Sequence, residues 1–399
     1  MVAATTGDRP HVNGEKGVEN GDKFANSDKP AVELLVPIPA STLRRFQKAG
    51  IDLSGGYPLL PADFDYLAGA DAAEIVYHQD AVAHAEKVHP YEDAALRADP
   101  QKRALFAAAK EVVDLTSHIG TEIVGVQLKD LTDQQKDELA LLVAERGVVF
   151  FRDQDLSPQQ QEGLGRYWGE LYPQGPFVPG HPDISTIWTD FFATKFRKPS
   201  YRQPFQGFHT DMVHERHPPG YTHLHKDAVP TVGGDLLWAS GYAAYSKLSP
   251  DFRKMIDGKK AVFISREKYM DKNNPSQGPV HCISRVHPLV RTHPVTGWKT
   301  LYVAHGWVSH IVGLDKKESD LILNYLIDIY ENNVDTQCRW KWTAGSSAIW
   351  DNRCTLHTAS WDYENASERH GTRVTTLAEE PFFDENSITR RQALGLADE

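Results

Sequence analysis

Short apolar runs bounded by turn residues fill the second half of this chain, and they limit what it can fold into. "GGDLLWAS", "GWKTLYVAHGW" and "TQCRWKW" have strand character, and the last alternates Cys338, Trp340 and Trp342 onto one face. Thr296 and Gly297 in "HPVTGWKTLYV" carry a hairpin signal. Helices are fewer but clearly marked. Thr132 and Gln135 stand in capping-box spacing ahead of a run that ends at Gly147, a C-cap residue. "VVFFRD" follows as a short buried strand. Ser157, Pro158 and Gln160 open a second helix, and Asp315 with Glu318 opens another in "DKKESDLILNYLIDIYE". Many strands, few helices and long insertions predict a mainly β fold with flanking helices, a two-layer sandwich or jelly roll. Nine Trp, 15 Tyr and 16 Phe can supply its core, although the hydrophobic share is only 40%.

Composition sets the expected boundaries. Residues 1–30, rich in Gly, Asp, Asn and Lys, read as a disordered tail. Residues 31–110 form an N-terminal extension, mostly helical or irregular, in which "DPQKRALFAAAK" is helical. Residues 111–385 form the main domain and 386–399 a C-terminal tail. The net charge of −11 argues against nucleic acid or an anionic membrane as partner, but a few local arginines suffice for a small anion. No apolar run reaches membrane-spanning length, and the N-terminus lacks the apolar core of a signal peptide. Cys282, Cys338 and Cys354 have no CxxC spacing and fit reduced thiols. A cytoplasmic protein is expected, with homo-oligomerisation left open.

A His-x-Asp/Glu triplet places two metal ligands on one face of a strand, because side chains alternate with period two. The chain has five: His78/Asp80, His84/Glu86, His181/Asp183, His209/Asp211 and His225/Asp227. Residues two apart on a helix do not share a face, which weighs against His84/Glu86. His78/Asp80 lies in the poorly defined N-terminal region, His181/Asp183 in a Pro/Gly loop, and His225/Asp227 before a turn-rich connection. His209/Asp211 fits a strand end opening into a loop. "AIWDNRCTLHTA" then offers His357 at the end of an apolar run, and "RHGTR" offers Arg369 and Arg373. Arginine suits a carboxylate or sulfonate because its planar fork donates two parallel hydrogen bonds.

"FHTDM", "GGDLLWASGYAAYSKLSP", "HPLVRTHPVTGWKTLYV", "AIWDNRCTLHTA" and "RHGTRVTTL" together resemble the taurine dioxygenase family of iron(II)/2-oxoglutarate-dependent oxygenases, from about Val112 to about Phe383. The resemblance implies a double-stranded β-helix with Fe(II) on His209, Asp211 and His357, and 2-oxoglutarate and O2 as co-substrates. It further implies that Arg369 pairs with the distal carboxylate of 2-oxoglutarate and Arg373 with the anionic group of the prime substrate. Trp307 falls where the family places an aromatic wall. Three departures stand out. Leu236 replaces a threonine that helps hold 2-oxoglutarate. Phe205 replaces an asparagine. The histidine that grips the sulfonate has no equivalent, the nearest residues being Tyr172, Gln174 and His181. The expected activity is hydroxylation of a small anionic substrate, an alkyl sulfonate first, with release of sulfite and an aldehyde. A carboxylate, phenoxyacid, purine or secondary metabolite is the alternative.

Overall fold

The computed structural model describes residues 37–60, 77–188, 207–363 and 368–397. The segment read as a tail, 1–30, and Phe205 lie outside them. Sixteen strands are present among the described residues: β1 (Glu111–Asp114), β2 (Thr121–Val124), β3 (Val148–Phe151), β4 (Phe177–Val178), β5 (His181–Trp188), β6 (Pro219–Ala228), β7 (Leu236–Ser240), β8 (Lys260–Ile264), β9 (Ser284–Pro288), β10 (Val290–Thr292), β11 (Lys299–Leu301), β12 (Val308–Ile311), β13 (Gln337–Trp340), β14 (Ser346–Asp351), β15 (Thr355–Ala359) and β16 (His370–Leu377). Eight of them make a large sheet in the order β1-β2-β3-β14-β6-β16-β5-β4. A second layer contains the sheet β13-β7-β15, and β12-β8-β9 and the hairpin β10-β11 complete the strand set. This is the jelly-roll architecture expected from the strand runs.

The strand pattern explains the layering. On β14, Ala348 and Trp350 join Phe150, Trp238 and Trp340 in an aromatic cluster shared with β7 and β13. Ile349, between them, points the other way and packs with Leu139, Val143, Leu164 and Trp168 of two covering helices. The strand is therefore buried on both faces and reads as an apolar run rather than an alternation. The covering helices begin where expected. Asp133–Arg146 has the Thr132/Gln135 capping box, and Pro158–Trp168 has the Ser157/Gln160 one. Gly147 closes the first at φ +75°, and a Cβ there would lie 2.8 Å from Thr355 Cγ2, so only glycine fits this reversal into β3.

Two of the five His-x-Asp pairs sit differently from expectation. His181/Asp183 opens β5 instead of lying in a loop, and His225/Asp227 lies on β6, paired with both β14 and β16. Asp227 is buried and occupied: Oδ1 accepts from Thr42 Oγ1 at 2.7 Å and His370 Nδ1 at 2.6 Å, and Oδ2 from Arg45 Nη1 at 3.2 Å. The helix Ala40–Lys48 is thereby fastened to the helix-covered side of the large sheet. Helices His78–Ala85 and Arg103–Ala108 also fall in the N-terminal extension, and Arg390–Ala393 forms a single turn in the final segment. Among the described residues no helix is long and apolar enough to cross a membrane, and the three cysteines are free thiols.

Candidate active site

His209, Asp211 and His357 come together from two segments far apart in sequence. A two-way backbone bridge joins His209 and His357: His209 N–H donates to His357 O at 3.0 Å, and His357 N–H to His209 O at 2.7 Å. His357 itself is held in β15, opposite Trp238 of β7. Thr210, between the first two residues of the cluster, is pinned by its hydroxyl to Asn352 O at 2.8 Å. The candidate ligand atoms of the three residues all lie within 4.8 Å of one another. The His209 and His357 ring centroids are 4.3 Å apart.

The protonation states suit a cation. Burial, and the neighbouring His209, push the His357 imidazole down to about 3. Burial also lowers His209, against the pull of Asp211. Burial would raise the Asp211 carboxyl, but the charge of Arg373, aided by the two histidines, holds it below its usual range. At neutral pH the cluster thus offers two neutral imidazoles and one carboxylate. Gly207 O lies 2.9 Å from His209 Nδ1, which assigns the proton to Nδ1 and leaves the Nε2 lone pair for the cluster. Asp211 Oδ2 and His357 Nδ1 are buried without a hydrogen-bond partner. Buried polar atoms rarely stay unsatisfied, so the residues fit a bound divalent ion such as iron(II).

A second cluster, His293, Asp351 and Cys354, has ligand-like spacing but is already saturated. Asp351 accepts from His293 Nε2 at 2.9 Å and from Arg353 Nε and Nη2 at 2.8 and 2.7 Å, and burial raises the Cys354 thiol well above its usual value. Its charge is balanced by Arg353, and the group reads as a structural ion pair.

The remaining sequence candidates fall on several elements. Arg373, on β16, places Nη1 3.6 Å from Asp211 Oδ2 and donates through Nη2 to Gln174 Oε1. Gln174 Nε2 and Arg373 Nε are buried without partners. Arg369 is buried just before β16, donates from Nε to Gly234 O at 3.3 Å, and lies within 6 Å of the Trp361 and Tyr363 rings, at 5.9 and 5.7 Å. Leu236 opens β7 and packs into the aromatic cluster. Trp307 is nearly parallel to His209, with centroids 6.4 Å apart. His214, a buried histidine beside Trp307, is marked by no motif in the sequence. His181, mentioned as a neighbour of the expected sulfonate grip, is instead taken up by Glu162, its Nδ1 2.7 Å from Oε2.

Comparison with known proteins gives a consistent picture. The family "Taurine catabolism dioxygenase TauD, TfdA family" matches residues 111–375. The chain is 38% identical over 315 residues to an alpha-ketoglutarate-dependent sulfonate dioxygenase of Saccharomyces cerevisiae, covering 74% of each chain. It is 37% identical over 339 residues to the alpha-ketoglutarate-dependent dioxygenase cnsM of Penicillium expansum, covering 82% of this chain and 91% of that one. A crystal structure of a taurine dioxygenase from Burkholderia xenovorans superposes with a TM-score of 0.59 at 31% identity, covering 69% of this chain and 93% of the other.

Proposed function

The chain belongs to the taurine catabolism dioxygenase TauD, TfdA family and is an iron(II)- and 2-oxoglutarate-dependent dioxygenase, and we propose that its prime substrate is an alkyl sulfonate. In this reading His209, Asp211 and His357 hold the iron. Iron(II), with 2-oxoglutarate and O2, supplies the oxidising chemistry: the co-substrate becomes succinate and CO2, and a substrate C–H becomes C–OH. Arg369 binds the distal carboxylate of 2-oxoglutarate, in a buried setting where a guanidinium–carboxylate pair is strong. Leu236 adds only an apolar contact where a hydroxyl would donate.

Arg373 orients the substrate. Its guanidinium is set by Gln174 on one side and Asp211 on the other, so its charge stands beside the metal cluster, where an anionic substrate must be held for oxidation at the neighbouring carbon. Trp307 walls the pocket and excludes water. Hydroxylation of the carbon next to sulfur breaks the C–S bond in the following step: the hydroxyl loses its proton, its oxygen forms the aldehyde C=O, and sulfite departs with the bonding pair. The placement of Arg373 against Asp211 carries this reading, alongside the likeness to the yeast sulfonate dioxygenase. The 37% identity to the Penicillium dioxygenase favours a second reading, in which the same machinery oxidises a carboxylate or a secondary metabolite. Incubation with iron(II), 2-oxoglutarate, O2 and a panel of sulfonates and carboxylates separates the two. Sulfite in step with succinate is expected, and turnover of carboxylates without any sulfite from sulfonates would establish the second reading.

A further inference from the structure

A second arginine stands beside the metal cluster. Arg266 follows β8, and the end of that strand is tied to the aromatic wall by Ile264 N–H, which donates to Trp307 O at 2.8 Å. Ser265 holds the turn: its Oγ donates to Glu267 O at 2.8 Å and accepts from Ile283 N–H at 3.0 Å. From this fixed base the Arg266 guanidinium reaches over Trp307, its Cζ 4.8 Å from the ring centre. The side chain is exposed, donates from Nη2 to His305 O at 3.4 Å, and forms no ion pair among the described residues. Partial burial lowers its pKa more than the distant Glu267 and Glu331 raise it, so the charge is short of a counter-ion. The cluster is open on this side. The His209 side chain keeps 29% of its surface exposed, against 9% for Asp211. The charge of Arg373 bears on all three residues of the cluster, whereas that of Arg266 bears on His209, no less strongly than Arg373 does. Two guanidinium groups thus flank the cluster, Arg373 against Asp211 and Arg266 at the open edge beside His209.

We propose that Arg266 is a second anion-binding residue for the prime substrate, and that the enzyme selects a dianion: an alkyl sulfonate whose far end carries a carboxylate. The inference rests on the alkyl sulfonate reading above and deepens it to a substrate class. In that reading the sulfonate meets Arg373 and the carbon to be oxidised lies at the metal. The rest of the substrate then leads out by the open side, past His209 and along Trp307, to Arg266. An apolar wall with a cation at its outer end suits a short methylene chain that ends in an anion. The planar guanidinium can rest on the indole and still offer two parallel N–H groups to a carboxylate, which a lysine ammonium cannot. An uncharged end gains nothing there, and a cationic end is repelled.

The test is a binding titration without oxygen. The protein loaded with iron(II) and 2-oxoglutarate gives a visible charge-transfer band that shifts when prime substrate binds; bleaching marks displacement of 2-oxoglutarate and is not counted as a shift. Wild type, Arg266→Gln and Arg266→Lys are titrated with alkyl sulfonates of increasing chain length that end in a carboxylate, each beside its carboxamide, and with the matching dicarboxylates and their monoamides. At the best chain length wild type is expected to bind the carboxylate about tenfold more tightly than the carboxamide, the value of a charge-assisted hydrogen bond at an exposed site. Arg266→Gln loses that preference, Arg266→Lys keeps part of it, and added salt shrinks it in wild type. A band of wild-type strength before substrate addition shows that each variant is folded and loaded. Its loss in both variants makes Arg266 a support of the cluster and overturns the proposal. Equal affinity within every pair in wild type, or an undiminished preference in Arg266→Gln, overturns it too and leaves Arg266 a brace on the Trp307 ring. A response to dicarboxylates alone removes the sulfonate reading, and the Arg266 comparison is then decided on those pairs. No shift with any compound overturns the proposal.

Discussion

Replacing Asp227 by Asn separates the His225/Asp227 pair of β6 from the His209/Asp211 pair more sharply than any change at the candidate metal cluster. The substitution keeps the size of the side chain but removes the charge that faces Arg45 in a buried site. Arg45 then retains its bonds to Leu156 O at 2.7 Å, Thr372 Oγ1 at 2.8 Å and Gln161 Oε1 at 3.2 Å, all neutral acceptors. Breaking one half of a buried ion pair costs about 3–5 kcal/mol, because the other charge remains desolvated. For a chain of 399 residues that corresponds to a fall in Tm of about 4–6 °C. His370 also loses its anionic partner, which adds to the cost. Removing both ends together, Arg45→Met with Asp227→Leu, is expected to recover most of the loss, since an apolar pair of similar volume is often neutral in such a place. The assay is a double-mutant cycle by urea unfolding, with the iron(II)·2-oxoglutarate band recorded for each variant. The band survives in Asp227→Asn, because that carboxylate is structural. Loss of the band with unchanged stability would refute the reasoning and move the metal to the other His-x-Asp pair.

Further outcomes follow from the same structure. Arg373→Ala leaves the chelate band in place but raises KM for the prime substrate about 10- to 100-fold, the value of a hydrogen bond to a charged group; equal loss of band and substrate binding would reassign the arginine. Leu236→Thr restores a hydroxyl beside the expected co-substrate site and lowers KM for 2-oxoglutarate about fivefold, one neutral hydrogen bond; no change would place Leu236 away from that molecule. Stability falls steeply with acid. Burial holds His214 at about 4 and His223 and His287 at about 3, whereas the unfolded chain protonates them near 6.5. Their stabilisation is full above about pH 6.5 and is lost as pH falls towards 3–4. Glu331, raised by burial to about 7, works the other way by one proton. These four groups leave an excess of about two protons and contribute a slope of about 2.7 kcal/mol per pH unit between pH 6 and 5, and the lowered His209, His225, His293 and His357 steepen it further. Urea unfolding at the two values checks it, and a flat response contradicts the buried, neutral state of these rings.

Local rules in the sequence reached some of this and not the rest, for identifiable reasons. The capping boxes at Thr132, Ser157 and Asp315 involve neighbours three residues apart and were legible directly. The Thr296–Gly297 signal lies in the loop between β10 and β11, where Gly297 takes φ +68°. β6 was not legible. Its His223, His225 and Asp227 break every apolar pattern, and their partners Ser347, Arg45 and His370 lie more than a hundred residues away. A polar strand buried by long-range partners looks like a loop when read alone. β5 hid for a related reason, since Pro182 and Asp183 near its start read as a turn. At the site, the backbone bridge between His209 and His357 could not be read from spacing; it was the order of the motifs that put the two residues together. His214 carried no signal at all, because a lone buried histidine is ordinarily a satisfied core residue, and only its unmet nitrogens distinguish it.

The central claim is that His209, Asp211 and His357 hold the iron that chelates 2-oxoglutarate, and anaerobic absorption spectroscopy tests it most directly. Iron(II) and 2-oxoglutarate added to the wild-type protein without oxygen should produce the visible charge-transfer band at one iron per chain. His209→Ala, Asp211→Ala and His357→Ala should each abolish it while keeping the protein folded. A wild-type protein that gives no band, or a band that persists in any of the three variants, would contradict the account.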